Sequence, residues 1–121
     1  MLDHVIITVE NYAKSREFYE KALEPLGYQV SIETGEGCGF SVLEKPDFWI
    51  LQGDKVTPHI HVAFTGRDHD AVDAFYAAAI AAGGADNGPP GLRENYHPNY
   101  YGAFVLDPDG HNIEAVCHRP Q

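Results

Sequence analysis

His4 opens a segment that recurs without gaps 57 residues later, at His61. Laid over residues 61–84, residues 4–27 share His4/His61, Val5/Val62, Thr8/Thr65, Phe18/Phe75, Tyr19/Tyr76, Ala22/Ala79 and Gly27/Gly84. Unrelated segments of that length share roughly one or two identities at average residue usage. A chain that contains itself twice folds as two like units, and the shared segment reads as a strand followed by a helix. A histidine at the head of each copy marks a candidate site at their junction.

The hydrophobic pattern fills in the rest of each unit. Residues 2–10 alternate with period two, with Val5, Ile7 and Val9 on one face and His4, Ile6 and Thr8 on the other. Asn11 can cap a helix running to about Glu24, which Pro25 and Gly27 stop. Short strands then follow at 28–33, 38–44 and 48–52, separated by turn-rich residues. In the second copy, 59–65 reads as a strand, Asp68 caps a helix, and Gly83-Gly84 ends it. The stretch 86–99 is rich in Gly, Pro and polar residues, so it reads as a long loop over a cleft. The segments 100–106 and 111–118 close the chain as a hairpin across Asp107-Pro108-Asp109-Gly110. The expected fold is α+β, two tandem βαβββ modules whose curved mixed sheets surround a cleft. One domain is expected over 1–121, with module one at about 1–55 and module two at about 56–121.

Charge narrows the partners. Eighteen acidic against eight basic residues leave a formal charge of −10, which repels nucleic-acid backbones and anionic membranes alike. No apolar run has the length of a bilayer span, and the N-terminal residues lack a basic leader, so a cytoplasmic protein is expected. The two cysteines, Cys38 and Cys117, have no CxxC spacing and read as buried or half-buried free thiols.

Strand parity decides which side chains meet. If Val5, Ile7, Val62, Phe64, Ile113, Ala115 and Cys117 face the helices, then His4, His61 and Glu114 share the opposite side with His59, Thr65, Asn112 and His118. Two histidines and a carboxylate suit N/O-preferring divalent metals and leave positions open for substrate. The same parity places Trp49 with the helix-facing residues.

The segments LDHV at the start, PHIHVAF after mid-chain and LDPDGHNIEAV at the end occur in an order that resembles the vicinal oxygen chelate superfamily. That group contains glyoxalase I, extradiol dioxygenases, fosfomycin-resistance thiol transferases and metal-free bleomycin-binding proteins. The resemblance implies metal ligands on the first, fourth, fifth and eighth strands, which fall on His4, the 48–51 segment, His61 and Glu114. Aligning HNIEA with DFWIL sets Ile50 against Glu114, and no carboxylate lies between Phe48 and Leu51, a departure from glyoxalase I. The resemblance therefore implies a small enzyme using Fe, Zn, Mn or Ni, leaning toward a dioxygenase. A glyoxalase I-like lyase, a thiol transferase and a metal-free binding protein are the alternatives. His59, His97 and Tyr101 are the catalytic candidates beside the metal, by likeness to the histidine and tyrosine of extradiol dioxygenases. Arg93, Tyr96, His97 and Asn99 sit in the long loop and can orient an anionic or polar substrate, although for Arg93 a solvated loop residue is the better reading. The resemblance also implies a homodimer, in some relatives with modules paired across chains.

Overall fold

The computed structural model describes residues 1–120. The element order is β1 (Val5–Val9), α1 (Tyr12–Leu23), β2 (Gln29–Glu33), β3 (Gly37–Ser41), β4 (Phe48–Gln52), β5 (His61–Thr65), α2 (His69–Ala81), β6 (Ala85–Leu92), β7 (Tyr101–Leu106) and β8 (Asn112–Cys117). A short 3-10 turn, Glu24–Leu26, follows α1. The strands form two four-stranded sheets of order β1-β4-β3-β2 and β5-β8-β7-β6, so the duplicated sequence gives a duplicated βαβββ topology. In each sheet the first and last strands of the module pair in parallel at one edge, and the rest is antiparallel.

Both helices start where the sequence provides a cap. The Asn11 side chain accepts from the Lys14 amide at 3.1 Å, and Asp68 accepts from the Ala71 amide at 2.8 Å, each relieving one of the unpaired amides of a first helical turn. The repeated Phe18 and Phe75 are fully buried, and so are Ala22 and Ala79. An aromatic seam ties the two modules together. Tyr19 of α1 packs edge-on against Phe48 of β4, and Phe48 packs against Phe64 of β5 at 5.3 Å.

The 86–99 stretch departs from its reading as a loop. Residues Ala85–Leu92 form β6, and only 93–99 turns. The register slips between Asp86 and Gly88 and again between Gly88 and Gly91, and Gly88 takes a φ of 146°. β6 is an edge strand, where Pro89 and Pro90 can lack an N–H without breaking a ladder on both sides. Strand ends elsewhere shift by a few residues, as with β3, which stops at Ser41 rather than 44.

Trp49 also differs from expectation. β1 and β4 pair Ile6 with Trp49 and Ile7 with Ile50. Ile7 and Ile50 are buried toward the helices, so Trp49 lies on the open face with Ile6.

Candidate metal centre

The open face of the second sheet can be read from its ladders. β5 and β8 pair His61 with Asn112 and Ala63 with Glu114, and β7 places Phe104 opposite Glu114. His61, Glu114 and Phe104 therefore share one face, opposite Phe64, Ile113 and Ala115, which are packed under the helices. His61 Nε2 lies 2.7 Å from Glu114 Oε1. The other carboxylate oxygen, Oε2, accepts from the Tyr100 hydroxyl. The His61 side chain is about half exposed, whereas that of Glu114 is only 1% exposed. A desolvated carboxylate is costly unless a cation or hydrogen-bond donors face it. Among the described residues no lysine or arginine pairs with Glu114, and its partners are His61 and Tyr100. Burial, and then the Glu114 carboxylate, push the Tyr100 phenol above its ordinary range, so this hydroxyl keeps its proton as a donor.

An aromatic group flanks the carboxylate. The Tyr100 ring lies 5.3 Å from His118, 5.4 Å from His97 and 4.9 Å from Tyr96. His97 Nε2 and His118 Nδ1 are 2.6 Å apart. The Asn99 amide donates to His97 Nδ1 at 3.1 Å, so the hydrogen of a neutral His97 sits on Nε2 and points at His118.

The other site candidates lie apart from Glu114. Tyr101 pairs with Cys117 and so faces the helices, where its hydroxyl donates to Asp73 at 2.6 Å and its ring stacks on His69 at 3.8 Å. Its phenol is pushed up to about 12 by burial and by the Asp73 carboxylate. The tyrosine next to the carboxylate is Tyr100, one residue earlier. The hairpin could have identified it, because counting back from the pair Leu106 and Asn112 sets Phe104 opposite Glu114 and gives Tyr100 the same parity. His59 lies over the Asp107–Gly110 turn, with its ring 6.0 Å from that of His111. His4 is exposed on the first sheet's side, bonded to Asp3 at 2.6 Å in a hollow lined by Lys45 and Trp49. The structure thus brings together His61, Glu114, Tyr100, His97 and His118 within one chain, and it leaves His4, His59 and Tyr101 outside that group.

Trp49 occupies the place in the first sheet that Glu114 occupies in the second. The repeat superposes Ile6 on Ala63, and their ladder partners are Trp49 and Glu114. The aligned residue is therefore Trp49 rather than Ile50. Indole has no lone pair for a metal, so the fourth strand contributes no ligand.

Asp107, Asp109 and His111 form another group, with donor atoms within 4.8 Å of one another. Asp107 Oδ1 accepts the Asp109 and His111 amides at 2.9 and 2.8 Å, and Oδ2 accepts the Tyr19 hydroxyl. His111 Nδ1 accepts the Ile60 amide at 3.1 Å, which puts the hydrogen of a neutral ring on Nε2. Both Asp107 oxygens and His111 Nδ1 are thus committed to holding the hairpin, whereas Asp109 Oδ2 and His111 Nε2 are buried without a hydrogen-bond partner. Because Nε2 carries the ring hydrogen, only the Asp109 carboxylate keeps a free lone pair there, and the donor set fits a metal poorly. His61 and Glu114 fit better, because Nε2 and Oε1 converge at 2.7 Å on an open face, where an ion could replace the hydrogen they share.

Comparison with known proteins identifies the family and the fold. The profile described as Glyoxalase/Bleomycin resistance protein/Dioxygenase superfamily matches residues 1–115. No curated protein sequence matches. A glyoxalase/bleomycin resistance protein from Albidiferax ferrireducens T118 is 28% identical with a TM-score of 0.85, over 95% of this chain and 97% of that one. A glyoxalase/bleomycin resistance protein/dioxygenase family enzyme from Burkholderia phytofirmans PsJN is 20% identical with a TM-score of 0.74, over 98% of both chains. The fosfomycin resistance protein FosX from Mesorhizobium loti shares the fold at 20% identity and a TM-score of 0.71, over 97% of this chain and 91% of that one. With nearly the whole chain matched and the duplicated topology in place, the protein belongs to the glyoxalase/bleomycin resistance protein/dioxygenase superfamily.

Proposed function

We propose that the protein is a metal-dependent enzyme that chelates two neighbouring oxygens of a small substrate, and that its chemistry is of the dioxygenase type. The observation that carries this is the buried Glu114 carboxylate, which has no lysine or arginine partner among the described residues and meets His61 Nε2 on an open sheet face. His61 and Glu114 would hold the ion, with His4 as the third ligand. His4 lies outside their group in one chain, so a second copy paired as a homodimer would supply it. Iron, zinc, manganese or nickel suits this donor set. When bound, the ion supplies Lewis acidity and open positions for a bidentate ligand.

The remaining residues do the positioning. Tyr100 holds Glu114 Oε2 and leaves Oε1 directed into the cleft. His97 and His118 form a pair that can take or return a substrate hydroxyl proton, the task assigned in the sequence to His97, His59 and Tyr101. Of those three, His97 is the one in contact with Tyr100, which stands where Tyr101 was expected. Trp49, in place of a fourth-strand carboxylate, weighs against glyoxalase proton transfer.

The test is metal analysis of freshly purified protein, followed by oxygen uptake with catechol after anaerobic loading with Fe(II). Stoichiometric metal with oxygen consumption supports the reading. Metal without oxygen uptake moves it to isomerisation or thiol transfer, and protein that takes up no divalent ion leaves the metal-free binding role.

A further inference from the structure

Gly88-Pro89-Pro90-Gly91, the segment of β6 that most resembles a loop, seats an arginine. Arg93 follows β6 opposite Tyr100, to whose carbonyl its amide donates at 2.7 Å, so it belongs to the Glu114 face. Its side chain folds back along the strand. Nη2 donates to the Pro89 carbonyl at 2.7 Å, and Cζ lies 5.4 Å from the Phe104 ring centre. The Phe104 ring is in turn 6.1 Å from that of His61. A Cβ at position 88 would sit 3.2 Å from Nη2 and one at position 91 would sit 3.1 Å from Nη1, so the two glycines make room for the guanidinium.

The arginine is held in place without a counter-ion. Arg16 and Arg67 pair with carboxylates, but Arg93 has no ion pair among the described residues of a chain with formal charge −10. A guanidinium has five N–H donors, and the Pro89 carbonyl takes one. Held over an aromatic ring, the remaining donors form a fork matched to a planar oxyanion, with part of the ordering cost already met by the fold.

We propose that Arg93 is the anion seat of this cleft and that the substrate is a small organic acid. Its carboxylate would rest on Arg93 while its neighbouring oxygens point toward His61 and Glu114. The inference rests on the reading of that face as the reaction centre. The strands bearing Glu114 and Arg93 are two spacings apart, roughly 10 Å, and the guanidinium folds back over the strand between them, so the carboxylate lies only a few bonds from the chelating oxygens.

Two measurements separate the seat from the metal. In the metal-free protein, benzoate should shift the Arg93 Nε–H resonance in a saturable way, and Arg93→Met should abolish its binding. Absence of that shift overturns the proposal whatever the metal does, and tighter binding of phenylphosphonate than of benzoate overturns the carboxylate assignment. In the metal-loaded protein, 3,4-dihydroxybenzoate should bind roughly tenfold or more tightly than catechol, as expected for a charge-assisted bidentate contact. Arg93→Met should erase that preference, and Arg93→Lys should restore part of it. A preference that survives Arg93→Met overturns the assignment. Benzoate binding by a chain that takes up no divalent ion would retire the metal reading and support the seat.

Discussion

Replacing Tyr19 with Phe removes one oxygen from the joint between the modules and leaves the ring in place. The ring is fully buried and packs 5.0 Å from both Phe18 and Phe48, contacts that phenylalanine retains. What is lost is the hydroxyl on Asp107 Oδ2, which leaves that oxygen without a donor because both amide bonds to Asp107 fall on Oδ1. Asp107 is 5% exposed, so water does not readily replace the hydroxyl. A hydrogen bond to a charged group contributes about 1.5–3 kcal/mol, a large part of the ~5–15 kcal/mol that holds an ordinary domain together. For a chain of this length the melting midpoint should fall by roughly 5–12 °C. Urea unfolding should show a lower midpoint at an unchanged slope, because the surface exposed on unfolding is the same. Adding Asp107→Asn should cost less than the sum of the two single changes, since the residues share one bond. A loss below about 0.5 kcal/mol would refute the view that this contact ties the first helix to the second module's hairpin.

His61→Ala should abolish stoichiometric metal with little loss of stability, since the side chain is half exposed; full metal content in the variant would remove His61 from the ligand set. His97→Ala should keep the metal and lower turnover or ligand affinity, because His97 touches Tyr100 and not Glu114, and loss of metal would make it a ligand. Burial, and then the Asp107 charge, raise the Asp109 carboxyl, so the folded state holds that proton more tightly and loses stability as pH rises from the ordinary carboxylate range through the raised value. Asp109→Asn should therefore raise the melting midpoint at neutral pH and leave it unchanged in acid below the ordinary range, and an equal shift at both would argue against the linkage.

The fold was legible because the repeat doubled every local signal. Phe18 and Phe75 mark the buried face of each helix, Asn11 and Asp68 their starts, and β4 falls on 48–52, the apolar run that the turn-rich residues set off. β6 was hidden because Gly and Pro weigh against a strand locally, whereas an edge position tolerates both. The Trp49 and Tyr101 assignments failed for another reason. A strand has period two, so an offset of one residue moves every side chain to the opposite face. Aligning Ile50 rather than Trp49 with Glu114, and choosing Tyr101 rather than Tyr100, are each such an offset. Repeat copies also diverge in their partners: Tyr19 holds the buried Asp107, while its counterpart Tyr76 holds Asp86 at 2.9 Å near the surface. The position of His4 relative to Glu114 depends on how sheets meet, which no local pattern encodes.

That position leads to a last prediction. The first sheet's open face carries Ile6 at 49% exposure beside Pro46, Trp49 and Leu51, an apolar surface next to His4. A second copy seated there would cover these side chains and carry His4 to the other chain's His61 and Glu114. Metal binding and dimerisation would then be one coupled equilibrium, and coupling is reciprocal: the factor by which pairing tightens the metal is the factor by which metal tightens the pair. Sedimentation of diluted protein should show dissociation into single chains that zinc reverses, with His4→Ala removing the zinc effect. Mixing His4→Ala chains with His61→Ala chains should restore zinc at half the sites of each mixed pair, because one site then keeps both histidines and the other loses both. Ligation within a single chain predicts no restoration on mixing, and that result, or a dimer indifferent to zinc, would place His4 outside the metal centre.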